Sequence, residues 1–273
     1  MPIERRTGFF ESDGEKIYFE DCGAGEVIIF CHGAGGNHAN WFQQVPYFSA
    51  KRRTIVWDQR GFGRSTNIAS EAGPDASAAD LLRLMDHLSI EIAHLVGQSM
   101  GGYAILEAAI KHPDRCTSIV MADSLGGIPV LTKDSDADGA RHIVGMALLN
   151  QSLPVDSAHP CLDTTFAARS PAQSYLFLQL ASLTPPTPVE CLQRLAAKRH
   201  GLEDISGIVC PTLFVVGEND KIFPPDAMRS AAALIKHAKV NVISNAGHSP
   251  YFETADEWNR IVEAFFNIFS IKN

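Results

Sequence analysis

The stretch HLVGQSMGGYAIL, residues 94–106, changes character at its middle. Its first half is the short apolar run of a buried strand, and its second half has the small and apolar residues of a helix. Between them, residues 97–101 read GQSMG and fit the pattern G-x-S-x-G, with Ser99 at the centre. Glycines on both sides let the backbone turn sharply around that serine. The stretch predicts a nucleophile at a strand-to-helix turn, with a serine that only caps the helix as the alternative.

Short apolar runs bounded by turn residues recur along the chain and predict a sheet. They cover residues 7–12, 16–21, 26–32, 53–58, 92–97, 118–123, 212–217 and 240–244. The first two flank Asp13-Gly14, a hairpin signal, so we expect an antiparallel pair there. The later runs are continuously apolar, which suits strands buried on both faces of a parallel sheet. A mostly parallel sheet of eight strands is therefore expected.

The segments between the runs carry helical signals. The clearest lies near the C-terminus, where apolar residues recur in steps of three and four from Trp258 to Phe269. Thr254 and Glu257 form the pattern of a capping box at its start. Strands that alternate with helices predict an α/β fold in which crossover helices flank the sheet.

The alternation lapses over residues 127–206, which contain helical patterns and no strand pattern. The helical patterns cover residues 136–152, 170–183 and 188–201. An insert of this length is too long for a plain connection and too organised for a loop. We predict a helical cap, or lid, over residues 127–206, inserted into an α/β core made of residues 1–126 and 207–273.

Charge and cysteine usage exclude several classes of partner. The chain has 31 acidic and 23 basic residues and a net charge of -8, which disfavours nucleic acid and anionic membranes. It shows neither a long apolar span nor a signal peptide, so a cytoplasmic location is expected. The six cysteines are scattered without paired spacing, so neither a zinc site nor a disulfide framework is indicated. We expect no metal and no cofactor.

A second glycine-rich segment, residues 32–36 (HGAGG), follows the third apolar run. Backbone with few side chains can direct peptide N–H groups at an oxyanion. The N–H of Ala34 is the first candidate for such an oxyanion hole, and the N–H of Met100, at the start of its helix, is the second. A plain glycine turn is the alternative. His32 is interpreted as a hydrogen-bonded structural residue.

A general base and its acid partner must come from later in the chain. Of the ten histidines, His248 stands in a small-residue loop directly after the last apolar run, where its side chain can reach the sheet edge. Asp220 occupies an equivalent place after the preceding run. Glu218 and Asp123 are its rivals, and Asp123 also ends a strand at the same edge of the sheet.

These motifs, taken together and in order, resemble the α/β-hydrolase fold superfamily. His32 with its glycines comes first, Ser99 in the elbow second, then Asp220, and His248 last, as that family orders them. Residues 58–65 (DQRGFGRS) also resemble a segment common in these proteins, which we take as architectural. The resemblance implies that His248 removes the Ser99 proton, that Asp220 orients the imidazole, and that water clears an acyl-enzyme.

The function expected from this resemblance is a serine hydrolase for a small to medium carboxylic ester, lactone or thioester. A carbon–carbon bond hydrolase of ring-cleavage products is the first alternative, because residues 36–41 (GNHANW) resemble those enzymes. A non-catalytic ligand-binding member of the fold is the alternative of another class. Substrate contacts are expected from Trp41 and, in the cap, from Tyr175, Phe177 and Leu178. The partner is a small-molecule acyl substrate, and a homodimer is left open.

Overall fold

The computed structural model describes residues 3–130 and 159–269. Within these residues eight strands form one sheet in the order β1-β2-β4-β3-β5-β6-β7-β8. The strands are β1 (Arg5–Ser12), β2 (Glu15–Cys22), β3 (Val27–Cys31), β4 (Arg53–Trp57), β5 (Ala93–Gln98), β6 (Cys116–Ala122), β7 (Thr212–Gly217) and β8 (Lys239–Ile243). β2 pairs antiparallel with β1 and β4, and the remaining pairs are parallel. The predicted fold class is confirmed.

Ten α-helices belong to the described residues. They are α1 (Gln44–Ser49), α2 (Pro74–His87), α3 (Met100–Lys111), α4 (Phe166–Arg169), α5 (Pro171–Ser182), α6 (Val189–Ala197), α7 (Leu202–Ser206), α8 (Pro225–Ala232), α9 (Pro250–Glu253) and α10 (Ala255–Phe269). Short 3₁₀ helices cover His38–Trp41 and Pro113–Arg115. None of the helices in this part of the chain is both long and apolar enough to cross a membrane.

The centre of the sheet is buried on both faces, which explains why strands β3 to β7 read as continuous, mostly apolar runs. Along β3, Ile29 packs into one core with side chains of α2, α3 and α8. Its neighbours Ile28 and Phe30 pack into the other core with α1 and α10. Successive strand residues point to opposite faces, so both sets must be apolar when both faces are covered.

Residues 58–65 take part in a largely buried network of polar contacts, which agrees with the architectural role expected for them. The Arg60 guanidinium donates to both Asp80 carboxylate oxygens at 3.0 and 2.7 Å. Asp58 accepts the backbone N–H of Arg64 at 2.8 Å. Because these buried charges are paired and hydrogen-bonded, they fix the loop after β4 at a tolerable desolvation cost.

Four helices, α4 to α7, lie between β6 and β7 in the described residues. The predicted helical patterns at 170–183 and 188–201 coincide with α5 and α6. The pattern at 136–152 lies outside the described residues. The extent of a cap over residues 127–206 stays a prediction.

Candidate active site

Ser99 occupies the turn between β5 and α3 in a strained backbone conformation. Its φ of 49° and ψ of -112° lie outside the regions that non-glycine residues ordinarily adopt. The turn is held by hydrogen bonds to the Ser99 backbone, because the Ser99 N–H donates to the Ala122 carbonyl at 2.9 Å and the Ser124 hydroxyl donates to the Ser99 carbonyl at 2.6 Å. The Ser99 side chain makes no capping bond to α3, so the helix-cap alternative has no support.

The glycines around Ser99 are required by close packing. A Cβ on Gly97 would lie 2.5 Å from the carbonyl oxygen of Gly101. A Cβ on Gly101 would overlap the carbonyl oxygen of Cys31, at the end of the neighbouring strand β3. Side chains at either position would therefore push the elbow apart, which is the crowding that the G-x-S-x-G pattern predicts.

His248 and Asp220 are hydrogen-bonded at the same edge of the sheet. His248 follows β8, and its Nδ1 donates to Asp220 Oδ2 at 2.8 Å. The other carboxylate oxygen of Asp220 accepts the backbone N–H groups of Ile222 and Phe223 at 2.7 and 3.1 Å. With the proton on Nδ1, Nε2 keeps its lone pair and can act as a base. Gln98, beside Ser99, donates to the His248 carbonyl at 3.0 Å and ties the two loops together.

The two rival acids occupy different positions. Glu218 is exposed, and its carboxylate accepts the Asn245 backbone N–H at 3.4 Å. Asp123 is fully buried, and its Oδ1 accepts the Gly217 N–H at 2.9 Å. Burial, together with the nearby charge of Asp220, raises the pKa of Asp123 well above its ordinary value. The His248 imidazole is therefore hydrogen-bonded to Asp220, and Asp123 lies behind Asp220.

Asp123, Asp220 and His248 also form a set of donors that could hold a metal ion, since their polar atoms lie within 4.8 Å of one another. Several of these atoms already have partners, because His248 Nδ1 bonds to Asp220 and one Asp123 oxygen bonds to the Gly217 N–H. We therefore interpret the cluster as two neighbouring buried acids, of which Asp220 is hydrogen-bonded to the imidazole.

The candidate oxyanion-hole groups stand on opposite sides of Ser99 in the chain. A Cβ on Gly33 would come within 3.2 Å of the Ser99 Cβ, so the backbone of the loop after β3 lies against the serine. Ala34 continues that loop, and Met100 is the first residue of α3. Among the described residues, neither the Ala34 N–H nor the Met100 N–H has a hydrogen-bond acceptor. Both groups are free to donate to an oxyanion.

His32 plays the structural role expected of it. Its Nδ1 donates to the Gly33 carbonyl at 2.8 Å, and its Nε2 accepts the Gln59 backbone N–H at 3.0 Å. Burial lowers the pKa of this imidazole. A neutral histidine with both nitrogens engaged holds the glycine-rich loop in place.

A cavity of about 300 Å³ opens at Ser99 and His248. Phe177, from α5, lines it and is 7% exposed. The other predicted substrate contacts do not reach the wall formed by the described residues. Tyr175 is 49% exposed on the outer side of α5, and Leu178 is half-buried outside the wall. Trp41 is fully buried, with its ring 4.7 Å from that of Tyr251, which does line the cavity.

Two further wall segments carried no motif in the sequence. Residues 184–187 are the proline-rich break between α5 and α6. The other segment contains His159, whose Nδ1 accepts the Cys161 N–H at 3.1 Å. Burial lowers the pKa of His159 to about 4, so its ring is neutral at pH 7. A histidine or a proline on a loop gives no periodic signal, so only the tertiary structure could assign them to the cavity.

A sheet of this order, with a glycine-bounded serine after β5 and an acid and a histidine after β7 and β8, defines a known class of α/β protein. A family model described as alpha/beta hydrolase fold matches residues 26–152 and 131–255. The chain belongs to the α/β-hydrolase fold family.

Individual relatives are hydrolases with different substrates. A 2-hydroxy-6-oxo-6-phenylhexa-2,4-dienoate hydrolase of Comamonas testosteroni is 29% identical over 290 residues, which span 96% of this chain and 97% of the relative. A 2-hydroxy-6-oxononadienedioate/2-hydroxy-6-oxononatrienedioate hydrolase of the same organism is 28% identical over 272 residues, spanning 92% and 91%. The solved structure of a thermophilic esterase from Thermogutta terrifontis has a TM-score of 0.82 and 27% identity, covering 98% of this chain and all of that one.

Proposed function

We propose that this protein is a serine hydrolase that cleaves small to medium carboxylic esters, lactones or thioesters. One observation carries the proposal: His248, hydrogen-bonded to Asp220 at 2.8 Å, lines the same cavity as Ser99 on its glycine-bounded elbow. A nucleophile, a base and an acid that orients the base are the groups that acyl transfer needs.

The reaction proceeds through an acyl-enzyme. Ser99 Oγ attacks the acyl carbon while His248 Nε2 accepts its proton, and the carbonyl oxygen becomes an oxyanion held by the Ala34 and Met100 N–H groups. The His248 imidazolium then protonates the leaving group, so the scissile bond breaks. Water, deprotonated by His248, attacks the acyl-enzyme, and His248 returns the proton to Ser99 Oγ as the acyl–oxygen bond breaks and the acid leaves. Asp220 balances the imidazolium charge throughout.

The cavity wall favours a neutral substrate. Apart from two histidines and the Cys161 thiol, the described wall consists of glycine, alanine and proline, apolar side chains such as Phe177, and neutral polar groups such as the hydroxyls of Ser182 and Thr184. Apolar surface is buried favourably against such a wall, whereas an unpaired charge would be desolvated at high cost. A volume of about 300 Å³ suits a compact acyl group.

Carbon–carbon bond hydrolysis is the second candidate, because the two Comamonas testosteroni relatives are named for it. The substrates in those names are carboxylates, and a buried carboxylate needs a cationic or multiply hydrogen-bonded partner. The described part of the cavity wall contributes neither lysine nor arginine. We therefore place ester, lactone and thioester hydrolysis first.

The test combines covalent labelling with a substrate panel. A fluorophosphonate should add one phosphonyl group to the wild type and none to Ser99→Ala, measured by intact mass. The panel compares p-nitrophenyl esters from acetate to octanoate, simple lactones and a 2-hydroxy-6-oxohexa-2,4-dienoate. Turnover of the esters or lactones above the dienoate supports the proposal, and the reverse order favours the second candidate. A folded protein that neither reacts with the probe nor turns over the panel would be a ligand-binding member of the fold.

A further inference from the structure

Asp123 is a second buried acid directly behind the proposed triad. It is fully buried, and it follows β6 with a φ of 46°, in the left-handed region that aspartate adopts only at a cost. Its backbone N–H donates to the Val215 carbonyl at 2.8 Å, and its Oδ1 accepts the Gly217 N–H at 2.9 Å. Its Oδ2, also buried, has no partner when the group is counted as a carboxylate. A buried acceptor without a donor is costly and calls for an explanation.

The charges around Asp123 supply that explanation. Polar atoms of Asp123, Asp220 and His248 lie within 4.8 Å of one another, and Asp220 is 3% exposed. The titratable groups that interact electrostatically with Asp123 are Asp220, Glu253, Cys161 and Tyr251, with His248 on the far side of Asp220. Each of the first four is neutral or negative. Two buried carboxylates this close cannot both stay ionised without a cation.

We propose that Asp123 is a protonated carboxylic acid that donates a hydrogen bond from Oδ2 to the carboxylate of Asp220, and so acts as a positioning residue for the His248–Asp220 pair. This inference rests on the proposed function for its catalytic meaning, but the protonation itself does not. In the protonated acid, Oδ2 carries the proton and can donate a hydrogen bond to the Asp220 carboxylate. Oδ2 then no longer lacks a hydrogen-bond partner. Burial and the negative charge of Asp220 both raise the pKa of Asp123, which agrees with a protonated Asp123.

The bond would set both the orientation and the basicity of Asp220. Backbone N–H groups of Ile222 and Phe223 hold its Oδ1, and His248 holds its Oδ2. A donor from Asp123 stabilises the negative charge of Asp220 and makes it a weaker partner for an imidazolium. The proton that His248 takes from Ser99 is therefore held less tightly than it would be by a His248–Asp220 pair alone, which eases its transfer to the leaving group.

Infrared difference spectroscopy tests the protonation without any activity measurement. Spectra are recorded above the pKa of about 7 that burial gives Glu253, so that this acid is ionised. The wild type should show a carboxylic-acid C=O band that is lost in Asp123→Asn and kept in the control Glu253→Gln. Absence of any band that depends on Asp123 overturns the proposal.

The pH profile of kcat/KM tests the positioning role. Asparagine at 123 copies the protonated acid, since its oxygen can accept from Gly217 and its amide can donate to Asp220. Asp123→Asn should therefore leave the acidic limb of the profile in place. Leucine also branches at Cγ but donates no hydrogen bond, so Asp123→Leu should move the acidic limb to higher pH by about one unit.

An ionised Asp123 predicts the opposite sign. Both variants would then remove a negative charge near His248 and move the acidic limb to lower pH, which overturns the proposal. If Asp123→Leu does not fold, the infrared band and the Asp123→Asn profile still decide. Failure of the proposed function is distinct from this result, because it would appear as probe labelling or turnover that persists in Ser99→Ala, while the band is independent of turnover.

Discussion

His248 Nδ1 lies 2.8 Å from Asp220 Oδ2 although 28 residues separate them in the chain. Both side chains stand on loops that leave the same edge of the sheet, after β8 and after β7. The bond fixes the imidazole tautomer. It leaves Nε2 to act as the base in the reaction proposed for Ser99. The consequences for activity are specific enough to measure.

Asp220→Asn should lower kcat by up to about four orders of magnitude, because the amide favours the wrong imidazole tautomer and cannot balance the imidazolium. The matched control is Glu218→Gln, an exposed acid two residues earlier in the same loop, which should stay near wild type. Steady-state kinetics on a p-nitrophenyl ester provide the measurement. A loss of turnover in Glu218→Gln with Asp220→Asn unaffected would reassign the acid.

Gly101→Ala should destabilise the protein by about 1–3 kcal/mol or more and abolish turnover, because its Cβ would overlap the Cys31 carbonyl oxygen. Gly201→Ala is the control, since its backbone φ of -69° suits alanine and the atom nearest its Cβ is the carboxylate end of Asp204 at 3.2 Å. Urea unfolding and ester turnover are compared for both. Equal effects at the two positions would show that the elbow is not crowded.

Phe177→Ala should change substrate preference, whereas Tyr175→Ala on the same helix should not. Phe177 lines the cavity and packs on Phe252 with ring centroids 5.0 Å apart, while the Tyr175 ring is 49% exposed. The alanine variant enlarges the cavity and should raise kcat/KM for octanoate relative to acetate esters, at a stability cost of about 3–5 kcal/mol. An unchanged ester profile in folded Phe177→Ala would remove this residue from the substrate site.

Glu253 should make stability fall as pH rises from about 4.5 to about 7. Burial raises its pKa from 4.5 to about 7, even though its two oxygens accept the Asp163 and Gly247 N–H groups at 2.7 and 2.8 Å. The folded state therefore holds this proton more tightly than the unfolded state does. The contribution is fully present below the unfolded pKa and is lost as pH rises through the folded pKa, by at most about 1.4 kcal/mol per pH unit.

The measurement is the difference in unfolding free energy between wild type and Glu253→Gln across this pH range. Burial lowers the pKa of His94 and His159 to about 4, which gives the opposite trend, but both histidines are common to the two proteins and cancel. Glu257→Gln, at an exposed position on α10, is the control and should show a constant difference. A constant difference for Glu253→Gln as well would contradict the prediction.

The sequence alone determined the fold and the order of the chemical groups. The strands β3 to β7 are buried on both faces and mostly apolar, so each could be located from its continuous run of residues. The first two strands could be located from the hairpin signal at Asp13-Gly14 between them. The elbow could be located because its steric demand falls on neighbouring positions, where Gly97 and Gly101 leave no room for side chains. Ser99, Asp220 and His248 follow strand ends, and parallel strands bring those ends to one edge.

Only the tertiary structure decided which side chains meet. Asp123 and Asp220 both follow strand ends, and the choice of Asp220 as partner of His248 depends on a distance of 2.8 Å that no local pattern encodes. Phe177 faces the cavity, while Tyr175, two positions earlier on the same helix, faces outward. Trp41 is buried beneath Tyr251 instead of lining the wall. Local sequence determines backbone periodicity, whereas packing between segments far apart in the chain determines which way the loops and the helices between β6 and β7 face.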